Sequence, residues 1–202
     1  MNKPALSRRN FIRGAAITYG SILLLPGCTF LSAKSSWRFF TEEEGALVDA
    51  IAEQIIPTDE WTGAKYAGVT NFIDKQLVGP YTRYQEEYRN GLAAIRTSCN
   101  KMYHKLFEQL TWDEQTAFLK KMEAGGLSCL ANHENCGVSG EVIWQEGTDC
   151  SFFSLIRNHT MQGYYGSPRH GGNKDYISYK MVGLGFPFIV GQNRYPGGKN
   201  EK

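Results

Sequence analysis

The first acidic residue of this 202-residue chain is Glu42, whereas the bases Lys3, Arg8, Arg9 and Arg13 already stand at its start. No apolar run approaches the roughly 20 residues that a membrane-spanning helix needs. No sign of charge dominates either: 22 basic side chains face 20 acidic ones, for a net charge of +2. Setting the four leading bases aside leaves 18 against 20, so the body of the chain is slightly acidic. That balance carries no electrostatic footprint for nucleic acid. Also missing are a Gly-x-Ser-x-Gly elbow, a dinucleotide fingerprint, a phosphate loop, a haem-attachment Cys-x-x-Cys-His and paired catalytic carboxylates. Histidine is scarce, with four in all, and none of His104, His133, His159 and His170 forms a pair at metal-binding spacing. His133 lies between Cys129 and Cys136, but no second cluster supplies a fourth ligand. No catalytic residue and no metal site is expected.

The amino terminus carries what the body does not. Ser7-Arg8-Arg9-Asn10-Phe11-Ile12-Arg13 matches a twin-arginine export signal, with Arg8, Arg9 and Phe11 as its main elements. Gly14 to Leu25 is apolar or small, too short to span a bilayer, and reads as the hydrophobic region of a signal peptide. Leu25-Pro26-Gly27-Cys28 then resembles a lipoprotein box with an unusual proline. Acylation of Cys28 would tether the chain to a membrane surface. The alternatives are cleavage after Ala33 or retention of the segment as an anchor. The expectation is a periplasmic protein that folds before export. Its organisation is a signal over 1–28, a serine-rich linker over 29–40 and one domain over 41–202.

Exported proteins with an even cysteine count favour disulfides. With Cys28 set aside, Cys99, Cys129, Cys136 and Cys150 remain, and three pairings are open. Cys129 with Cys136 would close a short loop, and Cys99 with Cys150 would then tie two helices. A bond to another subunit is a further alternative.

Periodicity in the body is helical. Thr41 with Glu44 and Thr111 with Glu114 are capping boxes that open two helices. The first carries Leu47, Val48, Ile51 and Ile55 and stops at Pro57. A second is expected over Val69–Val78. A long third is expected over Arg83–Leu110, with Gly91 as a candidate interruption. The second capping box starts a fourth, which ends at Gly125-Gly126. Residues 127–149 read as a loop with a short helix near Val142, and a further helix is expected over Ser151–Gln162. His159, near the end of that helix, is placed where a cation would be favoured by the helix dipole. From Gly163 the chain turns glycine-rich and aromatic. The expected fold is mainly α: a single helical domain with long loops and a glycine-rich C-terminal tail.

Three stretches carry a family likeness. They are the twin-arginine leader; Ile55-Ile56-Pro57-Thr58-Asp59 with Gly63-Ala64, Ala67-Gly68-Val69 and Asn71-Phe72-Ile73-Asp74; and Phe152-Phe153-Ser154-Leu155-Ile156-Arg157 through Gly163-Tyr164-Tyr165 and Gly171-Gly172-Asn173-Lys174 to Pro187. In order and spacing they resemble the gluconate 2-dehydrogenase subunit 3 family, the small subunit of flavin-dependent sugar and sugar-acid dehydrogenases. His170 and Tyr179 stand where that family often has tyrosine and tryptophan. The resemblance implies an accessory chain without flavin or haem of its own. FAD would sit in a partner, a flavoprotein of the glucose-methanol-choline type that this chain carries out of the cytoplasm. A c-type cytochrome would take the electrons. On that reading Tyr165, Arg169, His170, Gly171, Gly172, Asn173 and Lys174 form a candidate partner interface; the alternative for each is a constrained, solvated loop. The competing reading of the whole chain is a stand-alone periplasmic binding or structural lipoprotein.

Overall fold

A computed structural model describes residues 36–127, 144–145 and 147–183. The export signal (Arg8, Arg9, Phe11), Cys28, Cys129, Cys136, the short helix expected near Val142 and the closing Pro187 lie outside the described residues. Those described contain six α-helices and no strand: α1 (Glu42–Ile55), α2 (Val69–Leu77), α3 (Gln85–Tyr103), α4 (Trp112–Glu123), α5 (Thr148–Tyr165) and α6 (Ile177–Met181). Short 3-10 turns join them at Thr82–Tyr84, Phe107–Gln109, Pro168–His170 and Lys174–Tyr176.

Both capping boxes form. Thr41 Oγ1 accepts from the Glu44 N–H at 3.2 Å while Glu44 accepts from the Thr41 N–H at 2.9 Å. Thr111 and Glu114 make the same exchange at the start of α4. Each box satisfies two amide groups that a helix start otherwise leaves open. α1 buries Leu47, Val48 and Ile51 as the spacing predicts, together with Ala52, while Ile55 is half-buried.

α5 is the central element, packed against α1, α2, α3 and α4. It is longer than its periodic residues suggest, running from Thr148 through Tyr165. Its Phe152 faces Gly91 of α3, where an added Cβ would lie 2.5 Å from the ring. Gly91 therefore does not interrupt α3; it is the notch into which an aromatic side chain fits. The third helix instead ends at Tyr103, because His104 adopts the left-handed conformation at φ 53° and turns the chain toward Phe107.

The end of the 29–40 segment is fastened to the domain. Asp74 on α2 is fully buried, and its carboxylate accepts the N–H groups of Arg38 at 2.8 Å, Phe39 at 2.8 Å and Phe40 at 3.1 Å. Arg89 of α3 adds a second tie: it pairs with Glu44, donates to the Phe39 carbonyl at 2.6 Å and lies 4.1 Å over the Phe39 ring. A buried carboxylate is tolerated where donors converge on it, as here.

Of the three open pairings, the one that would join Cys99 to Cys150 is not formed: both are free thiols. Cys99 is buried on α3, and burial pushes its thiol up to about 12. Cys150 sits in the first turn of α5 and donates to the Gly147 carbonyl at 3.2 Å. Each thiol is accommodated locally, the first by apolar packing and the second by its own helix start.

Candidate functional site

The second and third family stretches, about 100 residues apart in sequence, are brought together in space. Glu53 on α1 organises the nearer one. Its carboxylate accepts from the Thr58 N–H at 2.8 Å, the Thr58 hydroxyl at 2.6 Å and the Lys65 N–H at 3.0 Å. Gly63 must be small because a Cβ there would lie 2.5 Å from both Glu53 and the Thr58 backbone. Tyr164 of α5 then ties in the far stretch by donating to the Thr62 carbonyl at 2.7 Å.

The loop after α5 docks on the same place. Asn71 Nδ2 donates to the Gly171 carbonyl at 2.7 Å, and the Lys174 N–H donates to the Ala67 carbonyl at 2.9 Å. Gly171 has φ 103°, and at Gly172 a Cβ would stand 2.2 Å from the Gly163 carbonyl oxygen. Gly172 is therefore required by a close backbone approach. Asn173, fully buried and left-handed, donates to the Gly166 carbonyl at 2.8 Å and accepts from the Ser178 N–H at 3.0 Å. It closes the loop back onto α5 and starts the turn toward α6.

Of the seven candidate interface residues, the structure thus divides the set. Asn173 has its side chain enclosed, and Gly171 and Gly172 serve the loop's own path. Tyr165, Arg169, His170 and Lys174 are exposed on its rim. Lys174 joins Asp49, Lys65, Tyr66 and Asp175 around a polar groove of about 640 Å³. Burial raises the Asp49 carboxyl above its ordinary pKa, against a hydrogen bond from Thr70 that lowers it. On the other side of the rim, Tyr165, His170, Met161, Tyr81, Pro80 and Phe72 line a largely apolar groove of about 630 Å³. Tyr165 and Met161 are each 42% exposed there.

Beneath the apolar groove lies a cluster that sequence spacing did not reveal. His159 is buried and stacked on Tyr81, with ring centroids 4.5 Å apart and planes 15° apart. Tyr88 lies parallel on it at 5.8 Å, and Tyr84 meets it edge-on at 5.3 Å. The Tyr88 hydroxyl is 3.0 Å from His159 Nδ1. Desolvation, with a smaller contribution from Arg83, lowers the His159 pKa to about 4. The expectation of a cation favoured by the helix end is corrected: the ring is turned inward among tyrosines, where water cannot stabilise the charged form. Tyr81, Tyr84 and Tyr88 stand at helical spacing in the sequence, but nothing in that spacing points to His159. Asp74 lies within a family stretch, but its buried capping role has no signature at the level of spacing.

No three His, Cys, Asp or Glu side chains converge to hold a metal ion among the described residues. What these residues present is a groove lined by charged side chains, an apolar groove and, between them, exposed aromatic and basic side chains beside the docked loop. Among the described residues the body is helical, and the loop after α5 is fastened to it. The chain belongs to the gluconate 2-dehydrogenase subunit 3 family, whose model matches residues 42–185. Searches of curated proteins and of solved structures found no match.

Proposed function

We propose that this chain is a non-catalytic accessory subunit of an exported, flavin-dependent dehydrogenase acting on sugars or sugar acids. It folds in the cytoplasm, binds the flavoprotein subunit there and carries it out through the twin-arginine route. FAD belongs to the partner, electrons leave through a c-type cytochrome, and acylation of Cys28 holds the complex at the membrane on the periplasmic side. The family match over 42–185 carries the reading, since that family is by its description one of a dehydrogenase subunit. The twin arginines Arg8 and Arg9 and the exposed rim of Tyr165, Arg169, His170 and Lys174 support it.

The test is fractionation of cells producing both subunits. With the wild-type chain, a tag on Lys202 should retrieve a yellow complex from the periplasmic or membrane fraction. Arg8→Lys with Arg9→Lys should leave both proteins in the cytoplasm. Export of the flavoprotein in the absence of this chain would overturn the carrier role, and a colourless single chain under conditions that preserve such complexes would favour a stand-alone lipoprotein.

A further inference from the structure

The three tyrosines that touch His159 differ in one respect, the fate open to the phenolic proton. Tyr81, on the wall of the apolar groove, hydrogen-bonds through its hydroxyl to the Gln162 side-chain oxygen. An amide oxygen is far too weak a base to take a proton. The Tyr84 hydroxyl accepts from Arg83 at 2.8 Å, and the guanidinium lies 4.6 Å from its ring centroid, so added positive charge is opposed there. The Tyr88 hydroxyl alone of the three faces a basic nitrogen, His159 Nδ1, at 3.0 Å. Burial keeps the phenol protonated and the imidazole neutral. A buried phenol proton needs an acceptor, so Tyr88 donates to Nδ1 and the ring proton sits on Nε2.

The rings are also continuous. From the groove, Tyr81 stacks on His159 and His159 on Tyr88; Tyr88 meets Phe152 at 5.4 Å, and Phe152 meets Trp144 at 6.1 Å. Electrons tunnel quickly across gaps of this size, and the Tyr81–His159–Tyr88 column reaches from the groove into the centre of the fold.

We propose that Tyr88 and His159 are a proton-coupled redox pair, addressed from the apolar groove through Tyr81. One electron passes from Tyr88 by way of Tyr81 to a one-electron oxidant at the groove, of the class of peroxide-derived oxyl radicals. The oxidant is reduced to its anion. The Tyr88 O–H bond breaks, the proton moves to His159 Nδ1, and a neutral tyrosyl radical is left beside an imidazolium. A hole entering at Tyr81 comes to rest on Tyr88 because only there does losing the electron also lose the proton to a base. Fully buried, the radical cannot couple with another tyrosyl radical. The pair is a sink for oxidising equivalents and operates in the isolated chain, so it stands whether or not the accessory-subunit reading does.

The experiment uses the purified full chain and a photogenerated ruthenium(III) polypyridyl complex as oxidant, with tyrosyl radical followed by transient absorption and electron paramagnetic resonance. Surface tyrosyl radicals should decay quickly by coupling, and a long-lived neutral component should remain. That component should form more slowly in deuterium oxide and be lost in both Tyr88→Phe and His159→Phe, while Tyr84→Phe keeps it. A long-lived signal that survives Tyr88→Phe, or a wild type without one, would overturn the proposal. If either variant loses the native circular dichroism, the wild-type isotope effect decides, and formation at equal rates in both solvents counts against the pair.

Discussion

Replacing Asp74 by alanine would strip the acceptor from three amide groups at once. The Phe40 N–H is buried, and a buried donor without a partner costs more than the hydrogen bond contributed. Asp74→Ala should lower unfolding stability by about 3 kcal/mol in urea titration, whereas Arg38→Ala, whose exposed side chain lies 3.8 Å from the same carboxylate, should cost less than about 1 kcal/mol. His159 makes a prediction of opposite chemistry. Its folded pKa of about 4 lies below the ordinary value of 6.5, so the unfolded chain binds the extra proton first as pH falls. The contribution is complete above pH 6.5 and is lost progressively between there and pH 4. Discounted for solvent screening at the half-exposed Tyr81 and Tyr84, the loss is on the order of 2 kcal/mol. Thermal melts across that window should show it, and His159→Phe should flatten the slope there.

At the scale of elements, the loop after α5 is the sensitive one. A methyl group at Gly172 would meet the Gly163 carbonyl at 2.2 Å, and backbone cannot swing aside as a side chain can. Gly172→Ala should undock the loop at a cost of about 1–3 kcal/mol and raise proteolysis near Arg169 and Lys174, measured by limited trypsin digestion. Helix starts were legible in the sequence because a capping box is a local device: Thr41 with Glu44 and Thr111 with Glu114 both do what their spacing says. Gly91 was misleading because its reason is not local; the partner is Phe152, 61 residues on. The rim of the candidate site was legible as a run of glycines and polar residues. Which of them face outward was not, since Asn173 differs from Lys174 only in where the docked loop turns each side chain. The tyrosine cage around His159 joins α3, α5 and the turn at Thr82–Tyr84, a meeting set by packing rather than by periodicity.

For the molecule as a whole, the exposed rim predicts where a partner is lost. Tyr165→Ala combined with Arg169→Glu leaves the core untouched, so the melting temperature should hold within a few degrees. Retrieval of the flavoprotein by the tagged chain should nevertheless fall at least about tenfold, since interfaces concentrate their affinity in a few aromatic and arginine side chains. Equal retrieval by wild type and variant would place the contact elsewhere on the surface.

The carboxylate of Asp74 has a mechanical meaning as well. It grips three consecutive amides on the amino-terminal side of α1. A pull exerted from that end is delivered to α2, in the interior, before it can peel α1 from its first turn. The clamp works as a hitch, carrying tension past the first turn of α1.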